Sequence, residues 1–210
     1  MATATRPGEL SPRRQETRNR LIDAGITIIA EHGIGGCTVE QICDEAGYTR
    51  GAFYSNFESK DELCAAILHD RREAVIAATR TTADAMPATF TSSSDAADAA
   101  VDRYLALQRV DARWPVVSAE LRLHALRSQE FRPTYLAWHE EIREQVVQIF
   151  ALALEQRGLH LPVPVPQAID LMEGVSEVAS FSAKLRGMPA DTETAANLKA
   201  MLAALLGVAG

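Results

Sequence analysis

Cysteine is scarce, with only Cys37, Cys43 and Cys64 in 210 residues. They form no Cys-x-x-Cys and no paired Cys/His spacing, which excludes a disulfide framework, a sequence-local zinc site and a dithiol redox motif. Three small core side chains in a reducing compartment is the reading that remains. Long apolar runs are missing too. None approaches the roughly 18 residues that span a bilayer, and near the N-terminus the longest covers only 25–30. Arg6, Arg13, Arg14, Arg18 and Arg20 precede no apolar segment of signal-peptide length, so a cytoplasmic protein without membrane contact is expected. Gly-x-Ser-x-Gly, His-Glu-x-x-His and glycine-rich phosphate loops are absent, and His32, His69, His124, His139 and His160 are scattered. Neither catalysis, a metal nor a cofactor is expected. No window alternates with period 2, and no internal repeat is found.

What is present is a globular composition, 47% apolar and 23% charged, with room for one domain or two small ones. The net charge is −7. Residues 1–72 hold 9 Lys/Arg and 11 Asp/Glu, giving −2, and residues 73–210 hold 12 and 17, giving −5. Any polyanion partner must therefore be met by a local basic patch.

The periodicity is helical throughout. Residues 1–11 read as a flexible tail. Ser11-Pro12 has the form of a helix cap followed by proline at the first helical position. Leu21, Ile22, Gly25, Ile28 and Ile29 then line one buried face, and Gly33, Gly35 and Gly36 end that helix. Thr38-Val39-Glu40-Gln41 has capping-box spacing and opens a short helix that Gly47 stops. A second short helix fits 49–56. Ser59-Lys60-Asp61-Glu62 is another capping box, opening a helix that runs to about residue 79. Further helical patterns cover about 94–110, 114–128, 131–157, 166–186 and 192–207. The expected fold is all-α with about nine helices.

Two short helices joined by a tight glycine turn have the helix-turn-helix form. On a helix starting at Thr49, Phe53 and Phe57 fall on a core face. The other face carries Thr49, Arg50, Gly51 and Tyr54, with Ser55 and Asn56 just beyond. An arginine there suits guanine O6 and N7 in a major groove. Glycine lets the backbone approach, and the neutral donors Thr49, Tyr54, Ser55 and Asn56 suit phosphate oxygens. Lys60 in the first turn of the next helix and Thr38 at the cap of the preceding one suit phosphates as well.

These residues resemble the N-terminal DNA-binding domain of the tetracycline-repressor (TetR) family over about 12–68. The resemblance rests on Arg18-x-x-Leu21-Ile22-Asp23-Ala24-Gly25, Thr38-Val39-x-x-Ile42, Ala46-Gly47, Gly51-x-x-Tyr54-x-x-Phe57 and Lys60-x-x-Leu63. It implies a recognition helix at about 49–55, with Arg50 and Gly51 facing bases and Thr38, Thr49, Tyr54 and Lys60 holding phosphates. Two positions depart from the family pattern. Cys43 replaces a usual alanine. Tyr48 replaces a smaller apolar residue, either stacking in the core or reaching DNA. By the same resemblance, 12–58 is the DNA-binding domain, and 59–210 is a helical domain for effector binding and dimerisation. A ligand-released repressor on a near-palindromic double-stranded operator is implied. A homodimer through 166–186 and 192–207 is implied too, using Leu171, Val175, Val178, Phe181, Leu198, Met201, Leu202 and Leu205. Those faces would equally close the subunit's own core.

For a small-molecule effector the candidates are Trp114, Glu120, His124, Trp138, Met172 and Phe181, with Tyr135 and His139 nearby. Glu120 and His124, four apart on one face, form either a polar anchor in an apolar pocket or a surface ion pair. The competing reading from another class is a helical protein–protein module without DNA activity.

Overall fold

The computed structural model describes residues 11–85, 95, 98, 101–102, 111–188 and 190–205. Eight helices have defined bounds: α1 Pro12–Gly36, α2 Val39–Ala46, α3 Arg50–Tyr54, α4 Lys60–Asp84, α5 Trp114–Arg127, α6 Arg132–Glu155, α7 Val165–Leu185 and α8 Ala190–Leu205. No strand occurs among the described residues, so the class is all-α as expected. Residues 1–10 of the expected tail and most of the expected helix at 94–110 lie outside the described residues. Asp95, Asp98, Val101 and Asp102 are helical.

The chain packs as two compact units. One runs up to Asp70 and takes in Val116–Leu136; the other holds Arg71–Pro115 and Ala137 onward. The unit with the helix-turn-helix thus extends past residue 58 and includes a segment distant in sequence.

In the first unit, Leu21, Ile22 and Ile29 of α1, Ile42 of α2, Phe53 of α3, Phe57 and Leu63, Cys64 and Ile67 of α4 form a core excluded from solvent. Burying each large apolar side chain contributes on the order of 1.5–3 kcal/mol before entropy is counted. The Ser11 side chain caps α1 by accepting from the Arg14 N–H at 3.3 Å, with Pro12 behind it. Near its end α1 breaks at Gly33, where φ is 69° and ψ 165°. That positive φ favours glycine, and a Cβ there would lie 2.9 Å from Glu120 Oε2.

The break frees backbone groups, and charged side chains satisfy them. The Ile34 N–H donates to Glu120 Oε2 at 3.0 Å. Lys60 Nζ donates to the carbonyls of Cys37 at 2.7 Å and Ile34 at 3.3 Å. One turn along α5 from Glu120, His124 Nε2 meets Asp61 Oδ1 at 2.7 Å, and its ring lies 4.9 Å from that of Phe131.

In the second unit α7 packs on α8, with Val101, Met172 and Leu198 at the centre and Ile169, Val175, Ala195 and Met201 around them. Leu171, Val178 and Leu185 are exposed on α7 at intervals of seven. No described helix is long and apolar enough to cross a membrane.

All three cysteines are buried and free. Burial, then the nearby Asp61 carboxylate, push the Cys64 thiol from its ordinary 9.0 up to about 12. Above pH 9 the unfolded chain loses a proton that the folded chain keeps, so stability drains as pH rises toward 12. Urea unfolding between pH 9 and 11 should show a shallower loss of stability in Cys64→Ala than in the wild type; equal slopes would contradict the burial account. Replacing Glu120 by Ala strands the Ile34 N–H and should cost about 1–3 kcal/mol, read as a lower urea midpoint at neutral pH. An unchanged midpoint would remove Glu120 from that role.

Candidate nucleic-acid interface

The turn and its two helices are fixed mostly by local bonds. Thr38 caps α2 with a complete capping box: Gln41 N–H donates to Thr38 Oγ1 at 3.2 Å, and Thr38 N–H to Gln41 Oε1 at 2.9 Å. Gly47 closes α2 in the left-handed conformation, φ 71°, and Tyr48 N–H reaches back to the Cys43 carbonyl at 2.9 Å. Two residues later Thr49 caps α3 by accepting from Ala52 N–H at 3.3 Å.

Helix α3 has five residues, shorter than the stretch 49–56 read from the sequence. Ser55 and Asn56 shorten it. Ser55 Oγ and Asn56 Nδ2 both donate to the Ala52 carbonyl, at 2.9 and 2.8 Å. These two donors are thus engaged in closing the helix. So short a helix is not stable alone. It is held from behind by Phe53 and Phe57, both buried with ring centroids 5.6 Å apart. Arg14 and Arg18 of α1 hold its end by donating to the carbonyls of Ser55 at 2.7 Å and Asn56 at 3.2 Å. The Arg18 guanidinium also lies 4.5 Å from the Phe57 ring centre.

This leaves Thr49, Arg50, Gly51 and Tyr54 exposed together on one short helix. Tyr54 is 50% exposed and stands edge-on to Phe53, ring centroids 5.4 Å apart. Tyr48 is half-buried. Gly51 has no positive φ, and a Cβ there would meet only Thr49 Oγ1 at 3.7 Å, an ordinary contact. Nothing within the described fold requires glycine at this place. Lys60, expected at a phosphate, has two of its three donors committed to the end of α1. Arg50 pairs with Glu40 of α2, and its guanidinium carbon lies 5.9 Å from the Tyr54 ring centre. Contact with the Tyr54 side chain, then the Glu40 carboxylate, hold Arg50 more firmly protonated than usual.

Sequence reading missed Arg14, Arg18 and Glu40. Arg14 was visible as a basic residue near the N-terminus and Arg18 as the first residue of the α1 motif, but their partners lie 41 and 38 residues away. Glu40 was visible as an acid in a capping sequence.

The second unit holds a cavity of about 230 Å³. Of the expected effector residues, Trp114, Trp138 and Met172 line it, whereas Phe181 is not among the lining residues. Glu120 and His124 belong to the first unit, on the Ile34 N–H and Asp61. They lie four apart on α5, and the groups they meet are the broken end of α1 and the start of α4. Most of the wall is apolar, from Val75 of α4, Ile142, Val146, Ile149 and Phe150 of α6 and Ile169 of α7. The rings of Trp114 and Trp138 are 6.4 Å apart, and Arg71 lies 4.7 Å over Trp114. His139 Nε2 stands 3.4 Å from Glu173, and Arg143 grips Asp170 through two bonds of 2.7 and 2.9 Å. That grip holds the Asp170 carboxyl below its usual range. Among the described residues no group of three or more His, Cys, Asp or Glu side chains could hold a metal ion.

Residues 21–67 match the family described as "Bacterial regulatory proteins, tetR family". The HTH-type transcriptional regulator SrpR of Pseudomonas putida is 41% identical over 58 residues, 28% of this chain and 27% of that protein. The HTH-type transcriptional repressor KstR2 of Rhodococcus jostii is 32% identical over 108 residues, 47% of this chain and 53% of that protein. These matches span between about a quarter and a half of the relatives' own length. The crystal structure of the transcriptional regulator FadR from Bacillus subtilis, in complex with stearoyl-CoA, superimposes with a TM-score of 0.70 at 16% identity. It covers 91% of this chain and 99% of that one, which establishes a common fold. The similarity to the tetR family of bacterial regulatory proteins thus lies in the helix-turn-helix segment, residues 21–67.

Proposed function

We propose that this protein is a cytoplasmic, sequence-specific DNA-binding transcriptional regulator, acting as a homodimeric repressor that a small-molecule effector releases. The observation that carries the reading is the α3 surface. Thr49, Arg50 and Tyr54 are exposed on a helix whose other side is buried, beside a glycine that the fold does not need. In a major groove, Arg50 reads a guanine edge and Gly51 lets the backbone come close. Thr38, Thr49 and Tyr54 donate to phosphates, and Lys60 has one donor left for the same purpose. Ser55 and Asn56 contribute through their placement at the end of the reading helix. Half-buried Tyr48 supports the turn.

The exposed stripe of Leu171, Val178 and Leu185 on α7 supports a dimer, since Val175, Leu198 and Met201 already serve the subunit's own core. Two reading heads on a two-fold axis require a near-palindromic site. The apolar cavity with Trp114, Trp138 and Met172 in its wall suits an apolar organic effector. The stearoyl chain of the stearoyl-CoA in complex with the Bacillus subtilis protein is one chemistry of that kind. Release requires that the effector bind the two states with different affinity.

Selection of bound duplexes from a random pool tests this. The full-length wild type should enrich an inverted repeat. Tyr54→Ala should weaken all duplexes alike. Gly51→Ala should melt no lower than the wild type, because alanine is the better helix former by about 1 kcal/mol, yet bind the enriched site more weakly. Absence of enrichment by the wild type would overturn the DNA reading and favour a helical interaction module.

A further inference from the structure

We infer that Glu40 is a specificity-determining residue that positions Arg50 for a guanine, an inference that rests on the DNA-binding reading above. Glu40 is the second residue of α2 and Arg50 the first of α3, so the pair bridges the two helices of the motif. Both side chains are more than half exposed, at 53% and 58%. An ion pair so exposed adds little to stability and orders two long side chains. Holding the fold together is therefore a poor account of it.

A better account follows from what an arginine on this surface can reach. Arg50 has a planar fork of five donors. Free to turn, the fork can bond a phosphate oxygen or a base edge, and only the base edge carries sequence information. Glu40 accepts from Nη1, and the Tyr54 ring flanks the guanidinium at 5.9 Å. Held on these two sides, the remaining donors keep one direction, which suits the paired acceptors O6 and N7 of guanine.

The negative charge works to the same end. Non-specific binding comes from phosphate neutralisation, and a carboxylate on the reading surface opposes it. Glu40 thus lowers affinity for any duplex while sharpening the choice among duplexes. A carboxylate placed there lowers total affinity, which a residue selected for strength of binding alone would not do.

The test uses the full-length protein and the duplex that the wild type selects from a random pool. Each G·C pair of a half-site is replaced in turn, and competition binding is measured at fixed salt. Arg50→Ala should relax discrimination at one pair by about 5- to 150-fold, the worth of a bidentate contact. Glu40→Ala should relax the same pair by about 3-fold or more and should raise affinity for random-sequence duplex. Glu40→Gln, which keeps an acceptor for Arg50, should retain more of the discrimination than Glu40→Ala. In the Arg50→Ala background Glu40→Ala should change discrimination no further.

Matching melting curves for wild type and variants will show that the fold is intact. Wild-type discrimination in a folded Glu40→Ala would overturn the inference, as would relaxation at a different base pair, which would mark direct base contact by Glu40. In both cases the DNA-binding reading would stand. Failure of the wild type to select any sequence would overturn both.

Discussion

The break in α1 at Gly33 is the constraint on which the first unit depends. A helix that ends inside a packed unit leaves donors and acceptors that must find partners. Here the partners are charged and come from far along the chain. A carboxylate from α5 takes the Ile34 N–H, and an ammonium from α4 takes two carbonyls. These bonds set where the chain leaves α1, and two residues beyond Gly36 the Thr38 cap starts α2. The position of the turn, and of α3 after it, follows from that exit.

Helix α3 has little intrinsic stability of its own. Five residues give barely more than one turn, and nucleation alone disfavours it. Its order comes from outside: a threonine cap in front, two buried phenylalanines beneath, and two arginines on the carbonyls at its end. Because the support is behind and at the end, the front is left without side chains that the fold needs. Arginines that a charge count would assign to DNA are in part committed to this support, so the basic residues of the region are not interchangeable.

Much of this was legible in the sequence because it is local. The capping box at Thr38, the glycine stop at Gly47 and the four-residue spacing of Phe53 and Phe57 are short-range patterns with short-range causes. The helical spacing of Glu120 and His124 was equally legible, but not what they meet. Their partners are Ile34 and Asp61, 86 and 63 residues away, and no periodicity carries that information. Helix α3 ends at Tyr54 rather than Asn56 because Ser55 and Asn56 both return to the Ala52 carbonyl, a competition between side chain and helix that composition does not decide. The aromatic set at the cavity was legible in part: Trp114 and Trp138 are there, and Phe181 is not among the residues that line it. The α7 face divides between core and surface, Val175 inward and Val178 outward, a distinction that an apolar count cannot make.

The central claim is that the surface built around α3 meets a phosphate backbone and reads bases from there. The most direct measurement is the salt dependence of affinity for the selected duplex, from about 50 to 200 mM. The account predicts that log K falls linearly with log salt, by about 0.9 for each phosphate neutralised, and that the line is shallower when Lys60 is replaced by Met. An affinity that does not change with salt would contradict it.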